Sequence, residues 1–293
     1  MDVVTQLFSF QFMQRAFLAG TIIGILCPTI GVFLVLKRLS MVGDTISHAS
    51  LAGVLGGLLF GINPILAAIL TAIGTAFGIE KVRKLFKSYA ELALAIFTSA
   101  GLGLAVILFN IVQSSDTSIQ SLLFGSIVSV GNQDLWTMGG LGLIALAVVL
   151  KYYREFFFLT FDEDGARLAG INPQLFNYLL LLLTSCIVAL GMRIIGALLI
   201  SSLFVLPVAC SLMISRDFKG TIIIANIVSV FAVYTGIILS YFYDLAPGGA
   251  IIVVLVCIMF LVYLIKKIVL AKVKKPGLER GKMDEAGKGS GGY

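Results

Sequence analysis

The sequence predicts an all-α, polytopic membrane protein, and three observations carry that prediction. Of 293 residues, 59% are hydrophobic and 12% charged, against roughly 25% charge in soluble globular chains. Apolar runs recur along the chain at close to the length of about 20 residues that a helix needs to cross a hydrocarbon core of about 30 Å. The runs are continuously apolar and do not alternate, which selects helices over a barrel.

Nine apolar segments can be drawn, over 16–36, 44–60, 64–80, 91–112, 134–150, 174–191, 194–215, 220–243 and 248–265. The second and third are short, so eight to nine transmembrane helices are expected. The stretch 119–131 is too short to span and suits a half-helix or re-entrant piece. Pro64, Pro173 and Pro247 fall where helices start, where a missing N–H costs little. Pro28 and Pro207 fall inside spans and should kink them. The membrane domain is drawn over 1–275. The Gly-rich polar tail, 276–293, is expected to be flexible.

Net charge is +6. The basic residues sit in short loops between apolar runs, so they report orientation and not nucleic-acid binding. Of 21 Lys and Arg residues, all but Arg15 and Arg193 fall on one side of the nine-span drawing. That side is expected to be cytoplasmic, with the N-terminus outside. The start of the chain lacks a basic n-region and does not read as a removable signal peptide. Cys27, Cys186, Cys210 and Cys257 lie in apolar runs and read as small buried hydrophobes.

The stretch KRLSMVGDTISHASLAG, 37–53, carries the only histidine, His48, four residues after Asp44. On a helix these two share a face. Counted from Arg38 at the interface, Asp44 lies about 9 Å in and His48 about 15 Å in. A carboxylate at that depth is costly unless it is paired, hydrated or on a functional pathway. A carboxylate and an imidazole on one face can bind a borderline metal. Two ligands suit a transient site that must release its ion, and not a structural zinc site. The plainer alternative is that Asp44 caps its helix and His48 bonds to a neighbouring helix. Glu91 opens the fourth segment, either as a helix-start acid favoured by the dipole or as a third pathway ligand. Asp116 and Asp134 bracket the short segment and could attract cations there.

The charged piece FDEDGARLAGINP, 161–173, lies on the predicted cytoplasmic side between two spans. It is either a solvated loop or a docking point for a soluble partner. No phosphate-binding G-x-x-x-x-G-K-[ST] and no H-E-x-x-H is present. The chain is therefore expected to be no enzyme, and any ATP hydrolysis must reside in another chain.

Five stretches in order carry a family resemblance. They are LKRLSMVGDTISHASLAGV; SLLFGSIVSV at 121–130; LTFDEDGARLAGI; IIGALLISSLFVLPVACSL at 194–212; and DLAPGGAIIV at 244–253. Together they resemble the permease subunits of the bacterial zinc and manganese ABC importers, over about 15–265. The resemblance implies that Asp44 and His48 occupy metal-pathway positions. It also implies that 162–171, with Asp162, Glu163, Asp164, Arg167 and Gly170, form a cytoplasmic helix coupled to the ATPase. It further implies a homodimer of permeases in the bacterial cytoplasmic membrane, two cytoplasmic ATPase subunits and an extracytoplasmic metal-binding protein. No permanently bound cofactor is expected, only the transported ion, with Zn2+ expected ahead of Mn2+ from the wording of the motifs. The alternatives are a permease for a metal chelate and an ATP-independent secondary transporter.

Overall fold

The computed structural model describes residues 10–85, 90–112, 121–126 and 130–288, with side chains as far as Ile268 except those of residues 85 and 90. Among them the fold is entirely helical. In chain order the helices are α1 (Gln11–Leu36), α2 (Val42–Phe60), α3 (Pro64–Leu85), α4 (Ala90–Val112), α5 (Asn132–Lys151), α6 (Tyr153–Phe161), α7 (Glu163–Leu168), α8 (Pro173–Ile195), α9 (Ile200–Ile214), α10 (Phe218–Tyr243) and α11 (Pro247–Lys288).

Each of the nine drawn segments coincides with a helix, and the expected count of eight to nine spans is not confirmed. Among the described residues, seven helices are long and apolar enough to cross a membrane: α1, α3, α4, α5, α8, α10 and the Pro247–Ile268 part of α11. The other two differ for separate reasons. α2 has 19 residues but carries Asp44, His48 and several hydroxyls. α9 has only 15 residues. Of the short segment at 119–131, residues 121–124 form a helical turn, whereas 119, 120 and 127–129, like Asp116, lie outside the described residues. The boundary drawn at 275 falls where only the backbone of α11 is described.

Pro64, Pro173 and Pro247 each begin a helix, as expected from the missing donor. α1 and α9 stay helical through Pro28 and Pro207. α1 and α8 form the centre of the bundle, each with 72% of its spanning residues buried. They lack charge over their middles, and their buried hydroxyls, Thr29, Thr184 and Ser185, donate to carbonyls one turn back, so burial on all sides leaves these groups satisfied. Polar pairs fix the neighbours: Thr29 of α1 hydrogen-bonds Asn226 of α10, and Thr21 hydrogen-bonds Tyr234. Close packing depends on glycine where backbones touch. A Cβ on Gly31 would lie 2.2 Å from the Phe204 carbonyl oxygen of α9, a separation no side chain tolerates.

At the end of the bundle where α1 finishes and α8 begins, aromatic rings clamp α6 to three other helices. Phe156 meets Phe33 of α1 at 5.6 Å and Phe176 of α8 at 5.5 Å between centroids, and Phe157 meets Phe218 of α10 at 4.9 Å. Such pairs add roughly 0.5–1.5 kcal/mol each beyond area burial. The clamp fixes the position of α7, which follows directly. The reading of the cysteines as buried holds for Cys27 and Cys210 and fails for Cys257, which faces outward from α11. An outward face of a membrane helix meets lipid, so a small apolar side chain is equally at ease there.

Candidate metal pathway

The site is built on α2. This helix starts at Val42 with no side-chain cap, so Asp44 is not its N-cap. The Asp44 carboxylate instead lies 3.6 Å from His48 Nε2 on its own helix and accepts a 3.4 Å hydrogen bond from Ser201 Oγ of α9. His48 is 12% exposed and Asp44 29%. The pair is therefore reachable, and the carboxylate keeps unused acceptor capacity.

Helices α4 and α9 and the segment between α8 and α9 hold this pair in place. Thr45 shares a 2.7 Å hydrogen bond with Thr98 of α4. A Cβ on Gly101 of α4 would meet the backbone at His48 and Ala49 within 3.2 Å, so α4 crosses α2 beside the imidazole. Gly43 lets Ser201 and Phe204 of α9 approach the start of the helix. Ser47 Oγ donates to the carbonyl of Ala197.

That carbonyl belongs to a break in the helical chain. α8 ends at Ile195 and α9 begins at Ile200. The intervening backbone is satisfied by the 121–126 segment and not by a helix ladder. Ala197 N–H donates to Leu122 O at 2.9 Å, Leu198 N–H to Leu123 O at 3.3 Å, and Ser126 N–H to Arg193 O at 3.2 Å. Gly125 (φ +83) and Gly196 (φ +95) adopt the left-handed region, and a Cβ on either would strike a carbonyl oxygen of the other strand within 2.3 Å. Only glycine fits there. Broken backbone inside a bundle needs such partners, because lipid offers none.

Glu91 is exposed in the first turn of α4 and lines a pocket with Met41 and Thr98. Asp134 is tied to Arg193: one guanidinium nitrogen lies 2.7 Å from both carboxylate oxygens. Among the described residues no three His, Cys, Asp or Glu side chains converge. A groove of about 790 Å³ between α2, α3 and α4 is lined by residues such as Ala52, Gly53, Gly56 and Leu104 and carries no titratable group. It does not offer metal ligands.

In the charged piece, Asp162 caps α7 by accepting from Gly165 N–H at 2.8 Å. Gly170 has φ +84 and ends the turn. Ala166 is buried, whereas Leu168 is 90% exposed and Glu163, Asp164 and Arg167 are exposed around it. An exposed leucine ringed by charge is a surface suited to a protein partner.

Sequence reasoning missed Ser47 and Ser201. Ser47 is three residues from Asp44 and so shares its side of the helix, a signal that was available. Ser201 is 157 residues from Asp44 in sequence, and nothing local points to it.

Residues 9–267 match the ABC 3 transport family. The chain is 35% identical to a protein of Treponema pallidum described as a probable metal transport system membrane protein, covering 86% of this chain and 95% of that one. It is 30% identical to the manganese transport system membrane protein MntC of Halalkalibacterium halodurans, covering 85% of each. Its fold is similar to a chain of PsaBC from Streptococcus pneumoniae, solved in complex with Fab, with a TM-score of 0.80 and 25% identity over 89% of this chain and 94% of that one. With a match over most of its length and seven apolar helices, the chain is a multi-pass bacterial inner-membrane permease belonging to the ABC 3 transport family.

Proposed function

We propose that this chain is the membrane subunit of an ATP-driven importer of a divalent first-row metal ion, and that the ion passes Asp44 and His48. The observation that carries the reading is the reachable carboxylate–imidazole pair on α2, set against Ser201 and the broken α8–α9 connection. A single imidazole with oxygen donors binds both zinc and manganese. Oxygen-rich sets suit manganese, and relatives named for manganese transport support that ion at least as well as zinc. Two protein ligands from one chain leave coordination positions for water or for a second copy, consistent with a homodimer and with an ion that must leave again. The exposed face of α7, with Asp164, Arg167 and Leu168, would dock an ATPase subunit, and an extracytoplasmic binding protein would deliver the ion. A chelate permease has less use for an acid–imidazole pair on an inner helix.

The test is uptake into proteoliposomes holding this chain with its ATPase and binding protein, with zinc and manganese in competition. ATP-dependent uptake lost in His48→Ala, with the complex still assembled, is expected. Uptake of an intact labelled chelate and of neither free ion would overturn the reading. A ligating imidazole must be neutral, so uptake should also fall on acidification while assembly persists.

A further inference from the structure

The exposed face of α7 explains where a partner could dock, but not how a push there reaches the ion path. A polar chain of contacts on its inner side does. Asn177, one turn into α8, is 4% exposed. Its Nδ2 donates to Glu163 Oε1 of α7 at 3.5 Å, and its Oδ1 accepts from Lys37 Nζ at 2.6 Å. A side-chain amide offers a donor and an acceptor side by side, so its orientation is set by its two charged partners. Lys37 follows α1 directly and is bonded back to it through Phe33 O. The next residue, Arg38, has φ 59, a left-handed conformation costly for a non-glycine residue. Leu39 is buried, its N–H bonds to Leu34 O, and Val42 N–H bonds to Leu39 O. The connection from Lys37 to Asp44 is therefore short and has no slack.

Charge accumulates around this lysine from a third direction. Glu80 of α3 is buried, with Arg83 3.0 Å away. Burial lowers the Lys37 pKa from the usual lysine value, Glu163 and Glu80 oppose that shift, and Arg83 adds to it. The ammonium thus contacts Asn177 directly and feels the carboxylates of α7 and α3 only through space. Asn177 is therefore the link through which a movement of Glu163 reaches the lysine.

We propose that Asn177 and Lys37 are positioning residues that transmit movement of α7 to the start of α2, and so to Asp44 and His48. The proposal rests on the reading of this chain as an ATP-driven permease. It divides the charged piece in two: Leu168, Asp164 and Arg167 face the ATPase, while Glu163, although exposed, also accepts a hydrogen bond from buried Asn177.

The test uses the complete transporter and a readout independent of the ion. Met41, exposed at the head of α2, is replaced in Met41→Cys, with the outward Cys257 removed by Cys257→Ser. Maleimide labelling of that position is compared with and without ATP and vanadate. A nucleotide-dependent change in labelling rate is expected, reduced about ten-fold or abolished in Asn177→Leu, and retained in Lys37→Arg, which keeps the charge. Metal uptake per ATP hydrolysed should fall with it while hydrolysis persists. Unchanged nucleotide-dependent labelling in Asn177→Leu would overturn the proposal. Should that variant not assemble, Glu163→Gln, at an exposed position, gives the same reading: a labelling response equal to the parent's overturns it, and a weakened one supports it. Absence of metal uptake in the parent with an intact labelling response would overturn the metal reading and leave this inference standing.

Discussion

Asp44 and Asp134 both lie in the first turn of an apolar helix, and their surroundings differ. Asp134 has a guanidinium nitrogen 2.7 Å from each oxygen and also accepts from Gly131 N–H at 3.0 Å. Its charge is neutralised and its acceptors are occupied. Asp44 has an imidazole at 3.6 Å and one hydroxyl at 3.4 Å. A carboxylate can accept about four hydrogen bonds, so Asp44 is held in place without being used up. The first arrangement fastens helices. The second leaves a negative charge available to something that arrives. The same residue type in the same helical position is saturated or left open according to what faces it.

The largest way to test that contrast is to remove each carboxylate in turn. Asp44→Ala should lower uptake by about 100-fold or more, because a charged ligand in a low-dielectric pathway has no substitute, with assembly unchanged by gel filtration. Asp134→Ala should leave uptake per assembled complex within about two-fold, since its charge is already committed. Equal losses from both would erase the distinction.

A second experiment asks whether the break behind Asp44 is as rigid as its contacts suggest. Gly196→Val puts a branched side chain at positive φ, with its Cβ 2.3 Å from Leu123 O. A loss of about 1–3 kcal/mol is expected from overpacking and backbone strain, read as reduced folded yield and thermal midpoint. Gly74→Ala, where nothing lies within 4 Å, serves as the control and should change neither.

A smaller effect is expected at the Asp134–Arg193 pair. Arg193 is 34% exposed, so solvent screening limits the coupling to about 1 kcal/mol. A double-mutant cycle with Asp134→Asn and Arg193→Met on thermal stability would measure it. Coupling indistinguishable from zero would return Asp134 to the status of an unspent acid.

The smallest effect concerns pH. Burial lowers the Lys37 pKa in the folded chain, so between that value and the ordinary lysine value the unfolded chain binds more protons. Stability therefore rises with pH across that alkaline window, as the cost of a buried ammonium is relieved. Lys37→Met should flatten this part of the stability profile, and an unchanged slope would remove Lys37 as its source.

Much of the fold was legible because its signals are local. Apolar runs, helix-starting prolines and the i, i+4 spacing of Asp44 and His48 all lie within a few residues of one another. The span count was not fully legible, because α2 carries an acid, an imidazole and hydroxyls and α9 has only 15 residues, so composition and length alone do not mark either as a span. Ser201 and Ala197 were invisible, since each meets α2 across more than 140 residues of chain. Glu91 remained ambiguous for a similar reason: helix-start acid and pathway ligand look alike until a neighbouring helix is placed.

By itself, then, the sequence determined that this chain lives in a bilayer as helices, and that one helix carries an acid and an imidazole on a common face. Helical periodicity and hydrocarbon thickness leave little else possible. Only the tertiary structure decided which acids are spent and which are free, and where the α8–α9 break meets α2. It also decided that Asn177 bonds Glu163 on one side and Lys37 on the other. These depend on which backbones touch, and touching between distant segments is fixed by the packing of the whole bundle.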